Sequence, residues 1–490
     1  MCNQNRTIIH YYESIGGRYL KDKELFWGHH SEWNLGSPGG WDYQRMTQEI
    51  GKAVFEQLFK TIHLDIQLDF DHPMLFPVYG FVNLLKEAYK KIDKGQKGLI
   101  AVVAEEETLE DVVENKNLMH HLNAIDGINS ILIAPHQLEI LKGHVSFQGQ
   151  PVSLIFMDFN TDVLLKLHRK HNLTPLLQAV SENRVINPRG TEPINVKSMF
   201  ELITHPESSH HFHAETVKRT PWTRQFYSRS TEGPKGETIP DLIEWTRRNW
   251  ENLVLKPERG YSGMGVRVGG VHPNADESIQ LALSDQHGAY IVQEKIPLPL
   301  WAEIIPQYDE QKQLIQPVCY QTDFRCLFSG NGLMGFLGRY GNVPTNVGSG
   351  GGVQPLAVLR SQMSIYDATA RLNEAILSMP VDHICEAITH QKNMAIDRHF
   401  TYLLGPIKIA LRPRLITEKQ MAALADYCSY IWKDCLTLEK MFLAGQLDHI
   451  IKIEPEELNI ARSQPWGGSS AILASDGIFS FGAHEAGHEY

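Results

Sequence analysis

Residues 253–270 read LVLKPERGYSGMGVRVGG. The apolar run Leu253, Val254, Leu255 predicts a strand and the VRV segment predicts its partner, so the two close around a glycine-bearing turn. Lys256 stands at the end of the first strand, and Gly260, Gly263 and Gly265 lie in the turn. A lysine ammonium meets phosphate oxygens as a point charge, while glycines let backbone N–H groups approach a polyphosphate without side-chain obstruction. A plain glycine hairpin has the same signature, so the sequence on either side decides between the two.

Downstream, YIVQEKIPLP (290–299) predicts another strand, and CYQTDFRCLFSGNGLMGFLGRYG (319–341) predicts an antiparallel pair joined at Ser329-Gly330-Asn331-Gly332. Residues 361–450 have helical spacing. Upstream, WDYQRMTQEIGKAVFEQLFKTI (41–62) and VYGFVNLLKEAYKKI (78–92) place apolar groups three and four apart, as helices do. GLIAVVAEEE (98–107) predicts a buried strand followed by a helix through 108–122. GINSILIAP and LKGHVSFQGQPVSLIFMDF add strands, and RVINP (184–188) closes a small unit of alternating strands and helices. The expected organisation is an α/β (α+β) chain. Residues 1–95 form an N-terminal segment with helices, 96–214 a small α/β domain, 215–360 a nucleotide-binding region, and 361–490 a helical region with a terminal strand.

The 490 residues carry 46 Lys+Arg and 57 Asp+Glu, and this charge of −11 argues against a dedicated nucleic-acid or anionic-membrane binder. With 42% hydrophobic and 21% charged residues the chain can bury a large core, and its length suggests about three structural units. Six scattered cysteines form no CxxC pair and read as reduced thiols. No apolar run approaches the ~18 residues that span a bilayer. A cytoplasmic chain with no membrane partner is expected.

The order of motifs from Lys256 onward is informative. Gln293 and Glu294 lie in VQEK, Asp323-Phe324-Arg325 and Arg339 follow, and Asn346 precedes Gly350-Gly351-Gly352. This order resembles the ATP-grasp family. The resemblance implies that Lys256 and the Gly260–Gly265 turn hold nucleotide phosphates, and that the Gln293–Glu294 segment meets adenine through its backbone. It also implies that Arg325, Arg339 and Asn346 line the phosphate and substrate region. NPRGTEPINVKSMFELI (187–203) is similar to the family's leading helix, which makes Lys197 a second nucleotide lysine. The family's Glu-x-Asn metal strand appears at the opposite end of the chain, in HSEWNLGSPGGWDYQ (30–44). Glu32, Asn34, Ser37 and Pro38 there resemble the segment of circularly permuted ATP-grasp proteins related to glutathionylspermidine synthetase. Magnesium is a hard cation that takes carboxylate, amide and water oxygens, and alternate strand residues aim both oxygens at one site. The family's aspartate ahead of Glu-x-Asn corresponds either to Asp22, with Arg18, or, if the chain is further permuted, to Asp476.

The resemblance implies an ATP-dependent ligase that joins a small-molecule or peptide carboxylate to an amine through an acyl phosphate, with ATP and Mg2+ as cofactors. A nonenzymatic ATP-binding or scaffold protein with the same fold is the alternative. A third reading is zinc hydrolysis through His484-Glu485-Ala486-Gly487-His488, a literal HExxH in a poor helical context. His210, His211 and His213 read as a polar loop, and Glu105–Glu107 as acids at a helix start.

Overall fold

The computed structural model describes residues 27–92, 97–260, 263–284, 286, 288–296, 302–342, 345–402 and 405–480. Arg18, Asp22 and the 484–488 HEAGH segment lie outside them. The strand Leu253–Pro257 forms as its apolar run predicts, with Arg267–Val268 antiparallel on one side and Tyr290–Glu294 on the other. Thr223–Gln225 completes this four-stranded sheet. Leu253, Leu255, Tyr290 and Val292 pack beneath it with Trp222, Trp250 and Leu242.

A larger sheet of seven strands faces the candidate site. Its order is Trp27–Asn34, Leu473–Ser480, Leu314–Ser329, Gly332–Gly341, Gly352–Gln354, Lys408–Ile409, with Ala302–Asp309 paired to the first half of Leu314–Ser329. The hairpin turns between Ser329 and Gly332, as its Gly-Asn dipeptide predicts. One face of this sheet is apolar: Phe324, Cys326, Phe328 and Phe336 are fully buried against the helix Glu418–Leu443. That helix presents Met421, Leu424, Cys428, Ile431, Cys435, Leu438 and Phe442, a stripe at three- and four-residue spacing. Alternation along Leu314–Ser329 therefore sends Asp323 and Arg325 to the opposite face.

The small α/β unit contains parallel strands Leu99–Val103, Ser130–Ile133, Gln150–Met157 and Val185–Ile186. The helix expected over 108–122 begins later, at Val113, after a 3-10 turn at Glu106–Thr108. The helical spacing expected across 361–450 is likewise interrupted. Arg414–Ile416 is a strand parallel to Leu356–Leu359, and the helix starts at Glu418 behind a capping box made by Thr417 and Gln420. Among the described residues no helix is long and apolar enough to cross a membrane.

Candidate functional site

The strand Trp27–Asn34 pairs antiparallel with Leu473–Ser480, and its register shifts between His30 and Glu32. His30 lies opposite Gly477 but Glu32 lies opposite Asp476, so Ser31 is the extra residue of a β-bulge. The bulge changes the face that each residue presents. His30 turns into the core, where its ring hydrogen-bonds to Tyr427 and to Thr220 and packs on Trp33 and Phe200. Burial, with the cations nearby, holds this imidazole well below its ordinary pKa. Beyond the bulge, Glu32 and Asn34 turn to the same face as Asp476, and the Asn34 amide donates to Asp476 Oδ2 at 3.2 Å.

Asp476 is the centre of an ionic row across the sheet. Arg325, its cross-strand neighbour, grips it through Nε and Nη2, both at 2.7 Å. Arg339 reaches Asp476 Oδ2 at 3.2 Å and holds Asp323 through Nε at 2.7 Å and Nη2 at 2.9 Å. Thr345 donates to Asp323 at 2.7 Å. Burial opposes the Asp476 charge, but Arg325 and Arg339 overcome it and hold the carboxyl well below the usual carboxylate range. The same pairing lifts both guanidinium groups above their ordinary value despite their burial.

The four-stranded sheet supplies one facing cation, Lys256, and the turn before the helix Met199–Thr204 supplies the other, Lys197. Lys256 Nζ donates to Gln293 Oε1 at 2.8 Å and to the bulge carbonyl of Ser31 at 3.1 Å. Burial pulls its pKa down to about 8 even though Glu32 and Asp476 favour the charge. Lys197 Nζ lies 3.3 Å from Glu32 Oε2 and donates to the Gly260 carbonyl at 3.0 Å. Gly260, Gly263 and Gly265 all have positive φ (145°, 72° and 72°), the backbone region that glycine alone enters without strain. Gln293 is buried and bridges Lys256 to Thr223, while Glu294 gives its backbone N–H to Trp222. The Asn346 side chain is turned into its own loop, accepting from Gly348 N–H at 2.8 Å.

Sequence reading thus names Glu32, Asn34, Asp476, Arg325, Arg339, Lys197 and Lys256, and the fold gathers all seven into one charged region. Asp22 and the HEAGH histidines are not described. His213 caps a short helix and stacks on Tyr430, and His210 packs against His211. Among the described residues no three His, Cys, Asp or Glu side chains converge as metal ligands. Asp323, read in the sequence beside Arg325, serves as the partner of Arg339, whereas Ser31 is missed because its bulge has no signature in the sequence.

The donors suit magnesium in part. Glu32 is partly exposed, and Asn34, with its amide nitrogen turned to Asp476, keeps its amide oxygen as a ligand. One carboxylate and one amide, completed by phosphate oxygens and water, match the way magnesium sits in phosphoryl-transfer sites. Both Asp476 oxygens already accept from guanidinium groups, so this residue anchors Arg325 and Arg339 in the present geometry. Four cations against three carboxylates leave a positive balance that suits a polyanion.

No family model matches the chain, and no curated protein matches it. Among solved structures it is similar to a RimK domain protein ATP-grasp from Sphaerobacter thermophilus DSM 20745, with 14% identity, 68% of this chain and 97% of that one covered, and a TM-score of 0.26. D-alanyl-alanine synthetase A from Vibrio cholerae O1 biovar eltor str. N16961 gives 11% identity, coverage of 46% and 67%, and a TM-score of 0.25. D-cycloserine synthetase DcsG gives 12% identity, coverage of 70% and 99%, and a TM-score of 0.27. Identity and superposition are low in all three cases, and the functional reading rests on the residues of the site.

Proposed function

We propose that this chain is an ATP-dependent carboxylate–amine ligase of the ATP-grasp type, with a circularly permuted order of motifs. The observation that carries the reading is the convergence of Glu32, Asn34, Arg325 and Arg339 on one sheet face with Lys256 from the four-stranded sheet and Lys197 from the turn before the helix Met199–Thr204. Such a set holds a polyphosphate and neutralises charge that develops on a transferred phosphoryl group. Lys197 and Lys256 bind phosphate oxygens, and the Gly260–Gly265 turn approaches them through its backbone. Glu32 and Asn34 are the residues that would hold magnesium, which when bound neutralises phosphate charge and orients the oxygens.

Arg325 and Arg339 spend Nε and Nη2 on Asp476 and Asp323, and their remaining guanidinium hydrogens are the donors assigned here to the γ-phosphoryl group or to the acylating carboxylate. In the ligase reaction a substrate carboxylate oxygen attacks the γ-phosphorus and ADP leaves. An amine then attacks the acyl carbon, the C–O bond to phosphate breaks, and inorganic phosphate departs. Asp476 acts by holding both guanidinium groups in the plane they need.

The test is to screen carboxylates and amines with purified protein, ATP and MgCl2, identify the nucleotide product, and repeat with Arg325→Ala. ADP and phosphate are expected, with a rate reduced at least about a hundredfold in the variant. AMP and pyrophosphate would refute the mechanism. No substrate-stimulated turnover across a broad screen, with ATP binding retained, would favour a nonenzymatic nucleotide-binding protein.

A further inference from the structure

No step of the ligase reaction uses His30, yet this residue is fully buried two positions before Glu32. Its hydrogen bonds run in a single direction. Thr220 spends its one hydroxyl hydrogen on the Thr216 carbonyl at 2.7 Å, so it accepts from His30 Nε2 at 2.7 Å. A buried imidazole between two hydroxyl groups is neutral and carries one N–H, so Nδ1 is an acceptor and takes the Tyr427 O–H. Tyr427 in turn accepts from Ser475 Oγ at 3.3 Å. This relay ties the strand Trp27–Asn34 to the helix Glu418–Leu443, to the strand Leu473–Ser480 and to Thr220 at the end of the helix Ala214–Arg219.

The fixed ring decides what Ser31 does. Trp33 packs on His30 with 5.2 Å between ring centres, and both rings pack on Phe200 in the same core. Alternation along an uninterrupted strand would put residues 30 and 33 on opposite faces. Both face the core only because one residue between them is extra, and Ser31 is that residue. Its hydroxyl donates to the Asp476 main-chain carbonyl at 3.3 Å. Trp27–Asn34 is the end strand of its sheet, and the Ser31 carbonyl leaves that edge to accept from Lys256 Nζ at 3.1 Å.

We propose that His30 is a positioning residue for Lys256: it pins the bulge, and the bulge carbonyl holds the lysine ammonium between the two sheets. Lys256 rises from a strand of the four-stranded sheet, where Gln293 is its other acceptor at 2.8 Å. The four-carbon stem of a lysine is flexible, so two fixed acceptors, one from each sheet, give the ammonium one direction. Without the pin, the strands Trp27–Asn34 and Leu473–Ser480 pair with no extra residue, and the Ser31 carbonyl turns with the regular alternation. Lys256 then keeps Gln293 alone. The phosphate role of Lys256 rests on the ligase reading, whereas the hold on its ammonium does not.

The probe is the non-hydrolysable ATP analogue AMPPNP, titrated calorimetrically without divalent cations so that Glu32 and Asn34 hold no metal. It is added to the full chain, to His30→Leu, to Lys256→Met and to the double variant. His30→Leu should weaken binding at least about fivefold when Lys256 is present and less than about twofold in the Lys256→Met background. A residue with a purely structural role would lower affinity by the same factor in both backgrounds, and that result would overturn the proposal. His30→Gln, whose amide supplies one donor and one acceptor, should bind AMPPNP within about twofold of the wild type. If His30→Leu does not fold, Tyr427→Phe removes one bond of the pin and should show the same background dependence with a smaller loss. Crystal structures of the wild type and the folded variant are the second measurement. The Ser31 carbonyl should lie beyond about 3.5 Å from Lys256 Nζ in the variant, and an unchanged contact would overturn the proposal. Failure of AMPPNP to bind the wild type would sink the nucleotide reading alone, and the crystal structures then decide the role of His30.

Discussion

Burial draws the Lys256 ammonium down from its ordinary 10.5 to about 8, and that single displacement makes two measurable quantities depend on pH. Between these values the unfolded chain binds a proton that the folded chain has released, so this lysine's contribution to stability rises with pH in that window. Below pH 8 the penalty is present in full. Lys256→Met should therefore melt several degrees higher than the wild type at pH 7, and the difference should close as the pH approaches 10.5. The same variant should bind ATP at least about tenfold more weakly, because a charge-assisted contact is lost. ATP affinity of the wild type should likewise fall as the pH rises through 8, a trend that the Met variant lacks in calorimetric titration. Asp476 makes the opposite case. Asp476→Asn leaves Arg325 and Arg339 buried without their shared anion, and removing one partner of a buried ion pair costs about 3–5 kcal/mol. Urea unfolding measures this, and a loss under about 1 kcal/mol would show that water, not Asp476, satisfies the guanidinium groups.

Among the elements, the helix Trp41–Leu58 is held in an unusual way. Its N-cap is Gly40, with no side chain to receive the first N–H groups, and Glu114 from another helix accepts from Gly40, Asp42 and Tyr43 instead. Burial raises the Glu114 pKa to about 8, while the backbone donors act against that rise. Glu114→Ala should cost about 2 kcal/mol, the upper range for loss of a helix cap. Because the loop it secures also carries Gly39, whose carbonyl accepts from Arg325, the proposed ligase turnover should fall in the same variant at temperatures where it remains folded. Thermal unfolding and activity measured on one preparation check both. None of this was legible beforehand. The helix itself was, since its apolar residues recur every three or four positions, and so was the Gly-Asn hairpin. A cap supplied from 74 positions away leaves no local pattern. The Ser31 bulge is similar: Glu-x-Asn spacing revealed that Glu32 and Asn34 share a face, but only pairing with Leu473–Ser480 shows which face it is.

At the scale of the whole molecule, the seven-stranded sheet takes strands from residues 27–34, 302–354, 408–409 and 473–480, so contiguous sequence ranges describe it poorly. The residue types that the fold gathers, lysines, arginines and a carboxylate–amide pair, stand in the sequence in an order that local reading can pick out. Their assembly does not show there, since strand order is set by non-local pairing. Leu473–Ser480 lies between two other strands, and ending the chain at Ser470 would strip pairing from both. Such a chain is expected to lose its cooperative unfolding transition, whereas a soluble, cooperatively melting product would show the strand to be dispensable. The same pairing has a consequence for biosynthesis. Asn34 and Asp476 touch although they are 442 positions apart. At roughly 5–20 residues per second, a ribosome needs from about twenty seconds to over a minute to travel between them. Through that interval the strand Trp27–Asn34 waits for its partner, a demand for chaperone protection that falls on the nascent chain and ends only when Leu473–Ser480 emerges.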